Sequence, residues 1–299
     1  MKRHFIRLAC ISLGSCVLAT AAFAQTPVSP PGSWPYLITT PGSYRLTANM
    51  LAPAPSSAIV IGASNVTLDL NGFTVAQSGL VPPCSPDITT GYGSTCSAVA
   101  GNALISATGR NITIKNGTVS NGSSAGIVLN PISPGAAMGA RFEDLNVTGN
   151  RGDGISATGE GNRYLRVNAL YNSGIGIEAG TYAQLEDVSA NWNDGNGVLA
   201  GSFGMSSRVI TRANGATGFF GAGVLDHLLT SANNSSGLIF NGVVRNAASQ
   251  SNGISDAVTG VLLDSNFYTG TVSVTGCYAQ TAAGAFLGTG VPMTSNTCP

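Results

Sequence analysis

The sequence predicts an all-β protein folded as a single parallel β-helix, a solenoid of stacked coils rather than a globule around one centre. Three observations carry this. First, the segments 142–150, 164–172, 185–193, 206–214 and 225–233 share one pattern and close on Asn150, Asn172, Asn193, Asn214 and Asn233, spaced 22, 21, 21 and 19 residues apart. Second, four residues after each asparagine stands a glycine leading an apolar residue, as in Gly176-Ile177 and Gly197-Val198. Third, each period holds short β-branched runs divided by Gly, Asn and Ser, which suits brief strands and turns that tolerate left-handed backbone. A period of about 20 residues is the mark of a solenoid. The dense L-x-x-L-x-L pattern of leucine-rich repeats is missing, and parallel strands joined by crossovers are right-handed. Asparagines recurring at one turn can bond the coil above and below.

The N-terminus reads as an export signal over 1–24. Lys2, Arg3 and Arg7 precede an apolar stretch, and Ala22-Phe23-Ala24 fits cleavage after Ala24. That stretch is too short for a transmembrane span. A rival reading is lipid anchoring at Cys16 within Leu13-Gly14-Ser15-Cys16, but the hydrophobic run continues past it. The protein is therefore expected to be secreted or periplasmic.

Residues 25–42 form a proline-rich leader, and 43–299 form one β-helix domain. The alternating stretch from Ile38 to Leu51 is expected to cap the first coil, whose open end would otherwise invite edge pairing. Nine or ten coils follow, from Ile59 to about Cys277. An insertion over 77–100 carries Cys84 and Cys96, and the tail carries Cys277 and Cys298. In an exported chain these four thiols predict two disulfides, Cys84–Cys96 as a local staple and Cys277–Cys298 pinning the tail. With formal net charge +0 and 9% charged residues, the chain lacks the basic face that nucleic acid requires.

The repeat also stacks side chains. Leu145, Val167, Val188, Val209 and Leu228 form an inward column, and the residues before them, Asp144, Arg166, Asp187, Arg208 and His227, should point outward about 4.8 Å apart. Alternating charge neutralises itself across neighbouring strands. Asp69 over Lys115 makes a further opposite pair. Tyr171 and Trp192 precede ladder asparagines on successive coils, so their rings should be neighbours, able to pack on sugar or to shield a turn. Together with His227 they are the candidate substrate-binding residues. Arg151-Gly152-Asp153 and the Asn-x-Thr sequons follow from turn composition and carry no function.

The repeated units, the run Ile59-Val60-Ile61 before Asn65 to Val75, and its second copy from Asn111 to Val119 resemble the right-handed parallel β-helix of the pectate-lyase-like superfamily. The resemblance spans roughly residues 43 to 274. It implies a polysaccharide or cell-surface glycan partner, either bound by a non-catalytic scaffold or cleaved by β-elimination with Ca²⁺. For a lyase, Arg166 or Arg208 would be the base, Asp144 and Asp187 would join the catalytic set, and Asp144, Glu186 and Asp187 would be the metal ligands. A scaffold would need no cofactor. An arginine between two aspartates has its charged form stabilised, which opposes a role as base. The Asn-Thr-Asp, Asp-Asp, Gly-His-Gly and Arg-Ile-Lys strings of polygalacturonase-type hydrolases do not occur. The expectation is therefore a polysaccharide-binding or interaction scaffold, with the lyase as the alternative.

Overall fold

The computed structural model describes residues 25–79, 84–97, 100–130, 139–267, 271–279, 285–287 and 291–292. All named elements among them are strands, and all strand-to-strand pairings are parallel. They wind into a right-handed β-helix of about 11 turns. The count exceeds the expected nine or ten because both ends contribute. Thr26–Val28 pairs with Gly42–Leu46, and Tyr36–Ile38 pairs with Ile59–Ile61, so the proline-rich 25–42 stretch carries strands. Pro27 sits in a terminal strand with one neighbour, where a missing N–H is tolerated. At the far end Ala285–Leu287 and Val291–Pro292 pair with Thr271–Ala279. The expected export segment 1–24 and Cys298, and with it the expected Cys277–Cys298 bond, lie outside the described residues.

A middle coil shows the plan. A short strand, Ile155–Ala157, lies on one side, and a turn leads to the long strand Arg163–Leu170. The next coil repeats this with Ile177–Gly180 and Gln184–Asn191. Register is strict: Leu145, Val167, Val188, Val209 and Leu228 are partners in turn, and all are buried. The long strand does not run straight. It bends at Asp144, Arg166, Asp187, Arg208 and His227, whose φ angles of 52 to 55° are left-handed. The same corner continues in Asn71, Asn116, Asn246 and Asp264. Simple alternation is thereby corrected, since two successive residues, such as Glu186 and Asp187, face away from the core at the bend.

The interior is narrow and filled by stacked like residues. The Phe142 and Tyr164 rings stack at 4.9 Å, and Phe219 meets Phe240 at 5.9 Å. The second turn buries a ladder of asparagines. Asn172 donates its side-chain N–H to Asn193 Oδ1 at 2.9 Å and to the Val147 carbonyl at 3.2 Å. Its own Oδ1 accepts both the backbone and side-chain N–H of Asn150. Asn193 and Asn214 repeat the arrangement, and the chain of amides ends on Asn252. The glycines beside the ladder are sterically required. A Cβ on Gly176 would lie 2.6 Å from the Gly197 carbonyl and 2.7 Å from Asn193 Nδ2.

Two predictions follow from this interior. Asn193→Ala takes the acceptor from the buried Asn172 backbone N–H and removes one bond each from the Asn172 side-chain amide, the Ala169 carbonyl and Asn214 Oδ1, an orphaned buried group costing about 1–3 kcal/mol. Chemical denaturation should show a loss of about 3 kcal/mol or more, whereas Gln184→Ala on the exposed face should be nearly neutral. The second concerns Asp256, which accepts the Leu238 N–H at 2.8 Å and whose burial raises its carboxyl above the ordinary range. A raised carboxyl holds its proton more tightly in the folded state. Its contribution is therefore full below the ordinary carboxylate pKa and is lost as pH rises through the folded one. Thermal melts of Asp256→Asn across that window should show a flatter pH profile and no loss of stability at neutral pH.

Candidate functional site

The outer face presents a charged corner, a docked loop and two open grooves. At the corner the charges group in pairs. Arg166 makes a two-pronged bond to Asp144 through Nε and Nη2 at 2.5 and 2.8 Å. Arg208 does the same to Asp187 and adds Glu186 at 2.6 Å. Glu186 also meets Arg163 at 3.4 Å, and the expected Lys115–Asp69 pair closes at 3.9 Å. His227 turns to its neighbour Asp226 at 3.0 Å. The alternating column thus resolves into pairs, with no Arg166–Asp187 ion pair among the described residues. The hydrogen bond from Arg166 holds the Asp144 carboxyl below its usual range, and Arg208 does so for Asp187. Both guanidiniums are pushed up in return.

The three carboxylates expected as metal ligands do not converge. Asp144 is held by Arg166, while Glu186 and Asp187 are held by Arg208. Among the described residues, no group of three or more His, Cys, Asp or Glu side chains could hold a metal ion. The residues present do not fit the calcium site that the superfamily resemblance implies.

Tyr171 and Trp192 lie elsewhere than an open platform. The Cys84–Cys96 disulfide is formed, and its loop is laid against the second turn. Gly93 donates its N–H to the Ala213 carbonyl at 2.8 Å. Ser94 gives its N–H and hydroxyl to the two Asp194 carboxylate oxygens at 2.5 and 3.2 Å. At the other end of the loop, Cys84 packs beside Gly149. Gly149, Tyr171, Trp192 and Ala213 each precede a ladder asparagine. The two aromatic residues therefore lie in the column between the loop's anchors, and both are half-buried. Their rings do not stack with each other; the ring pairs among the described residues are elsewhere.

One of those pairs is exposed. Tyr182 and Phe203, 52% and 69% accessible, stack at 5.4 Å and 17° on the first turn. Both have left-handed backbone, at φ 53 and 60°, where the preceding coil has Gly161. Sequence reasoning centred on the asparagine turn and passed over them. The signal that locates them is Gly180-Thr181-Tyr182 above Gly201-Ser202-Phe203, an aromatic repeated at a turn that glycine would fill best.

Beside this ridge runs a groove of about 530 Å³ across the outer face of the short strands. Leu199, Phe220 and Ile239 line it, with Gly180 and Gly201 leaving it open, and Thr181 and Ser202 mark the ridge side. Gly180 is fixed by close approach: a Cβ there would fall on the Gly159 carbonyl. A second groove, of about 570 Å³, lies along the other flank, lined by Ser189, Arg208, Ile210, His227, Leu229 and Asn246. Of the candidates read from sequence, it gathers Asp187, Arg208 and His227 and leaves out Asp144, Arg166, Tyr171, Glu186 and Trp192.

No protein-family model matches the sequence, and no curated protein does. Solved structures are similar in fold. Pectate lyase Pel9A is 15% identical with a TM-score of 0.50, the likeness covering 82% of this chain and 67% of that one. The A-module of Azotobacter vinelandii mannuronan C-5 epimerase AlgE4 is 12% identical with a TM-score of 0.41, covering 86% and 87%. The likeness to Pel9A is one of fold, a right-handed β-helix.

The docked loop yields a prediction of its own. Asp194→Ala removes the acceptor for Ser94, so limited proteolysis should cut 84–97 faster while the thermal melt of the body stays nearly unchanged. In a Trp34→Phe background, Trp192 emission should shift to the red as the loop leaves.

Proposed function

We propose that the chain is an exported β-helix protein that binds polysaccharide along its outer face. The observation that carries this reading is the pair of open grooves, each floored by stacked residues from successive coils and therefore running along the solenoid axis. An elongated, largely apolar trench with a few polar groups suits a linear polymer that has apolar ring faces and hydroxyl edges. Export is supported by the basic and apolar pattern of 1–24 and by the Cys84–Cys96 bond, since disulfides persist in oxidising compartments. No helix among the described residues is long and apolar enough to cross a membrane.

The name of pectate lyase Pel9A brings a second reading, β-elimination on a uronate polymer. The proton-abstracting base would be Arg166 or Arg208, which must be neutral to act. The pairing works against that, because the bonds to Asp144, and to Asp187 with Glu186, favour the charged form. The carboxylates that would hold calcium are paired with arginine.

The two readings separate in one assay. Protein spanning 25–299 is incubated with pectate and alginate, with Ca²⁺ or with chelator, while the ultraviolet absorbance of the unsaturated product is followed. We expect no product. Arg166→Ala and Arg208→Ala are assayed alongside; in Arg166→Ala, whose side chain lines neither groove, the melting temperature and the retention on immobilised polysaccharide should be nearly unchanged, since this is an exposed pair. A calcium-dependent product lost in either variant would replace binding by catalysis.

A further inference from the structure

We propose that the first groove takes an uncharged glycan, and that the stacked Tyr182 and Phe203 rings form the ridge on which its sugar rings pack. This rests on the polysaccharide-binding reading and adds the chemical class and the contact residues.

The first support is charge. Among the described residues, Glu178 is the one ionisable side chain lining this groove, and its carboxylate accepts the Ser156 hydroxyl at 2.6 Å. An anionic polymer would meet a like charge and no cation there. Arg163, Arg166 and Arg208 are held in ion pairs on the long strands. Asn241 and Thr259 at the other end supply uncharged hydrogen-bonding groups suited to hydroxyls.

The second support is the ridge itself. Left-handed backbone costs a non-glycine residue roughly 1–2 kcal/mol, and bulky residues are rare there. The preceding coil fills the equivalent position with glycine, so the backbone alone does not call for an aromatic. Neither ring is needed for the core, since more than half of each is in water. Tyr171 and Trp192 share the left-handed geometry, but the disulfide loop lies across their column. Tyr182 and Phe203 have no such cover among the described residues. Two stacked, nearly parallel exposed rings, next in sequence to the groove-lining Thr181 and Ser202, give an apolar ridge with a polar rim. Strain retained at an exposed aromatic pair is the kind of outlier that points to function.

The test compares the 25–299 protein with Tyr182→Asn/Phe203→Asn. Asparagine tolerates the left-handed turn, so the variant should melt at or above the parent temperature. Binding is measured by isothermal titration and affinity electrophoresis against uncharged polymers (glucan, mannan, xylan backbones) and anionic ones (pectate, alginate). We expect at least one uncharged polymer to bind, with a loss of about tenfold or more in the variant, and the anionic polymers to bind more weakly. Preference for the anionic polymers would overturn the chemical class and leave polysaccharide binding standing. Uncharged binding unaltered by the double substitution would overturn the ridge. No binding to any polymer would overturn both readings. Concentration-dependent self-association abolished by the double substitution would instead make the ridge a contact between copies of this chain.

Discussion

The fold depends on a buried row of side-chain amides. An asparagine inside a coil turn has two donors and an acceptor to satisfy without water, and here the neighbouring coils supply the partners. The solution works only if the next coil offers another asparagine at the same place, so it propagates the period. It starts where Gly122 gives its backbone N–H to Asn150 and stops at Asn252, which turns to Ser249. Glycine before each short strand from Ile127 onward to Leu238 follows from the same constraint, since any side chain would press on the amide of the next coil.

With the interior fixed, the outer corners become the variable surface. Each coil must turn sharply, and it does so with single left-handed residues. Asparagine and aspartate accept that conformation through local hydrogen bonding. At the strand corner the arginines that alternate with aspartates gain a bidentate partner one coil away, which makes the column a sheet-stapling device. At the first turn two of the left-handed residues are Tyr182 and Phe203, which have no polar side-chain partner among the described residues and stand in solvent as a stacked pair. The same backbone demand thus yields a neutralised ridge on one side and an aromatic one on the other.

Much of this was legible in the sequence because a solenoid writes its packing as a period. The inward column from Leu145 to Leu228, the asparagine ladder, the Asp69–Lys115 pair and the Cys84–Cys96 staple all follow from residue type at fixed spacing. What depended on backbone conformation was not legible. Strict alternation placed the charged column outward for the wrong reason, because the strand bends there. The strands at 26–28 and 36–38 were hidden by prolines that are harmless at an end coil. The loop anchored beside the turn of Tyr171 and Trp192 is tied down by Ser94 and Asp194, about a hundred residues apart in sequence, a contact no local pattern announces. The Tyr182–Phe203 ridge lies outside the dominant repeat, at a turn whose length changes from coil to coil.

Interior and exterior fit together: the amide ladder and stacked rings hold the coils in register, and the register lines up side chains into grooves along the axis. The central claim is that the ladder is the clamp. Amide hydrogen exchange at single-residue resolution tests it most directly. The account predicts that the backbone N–H groups of Asn172, Asn193 and Asn214, each bonded to the next asparagine, exchange only on global unfolding. Exchange at those positions as fast as at the exposed turn residue Phe203 would contradict it.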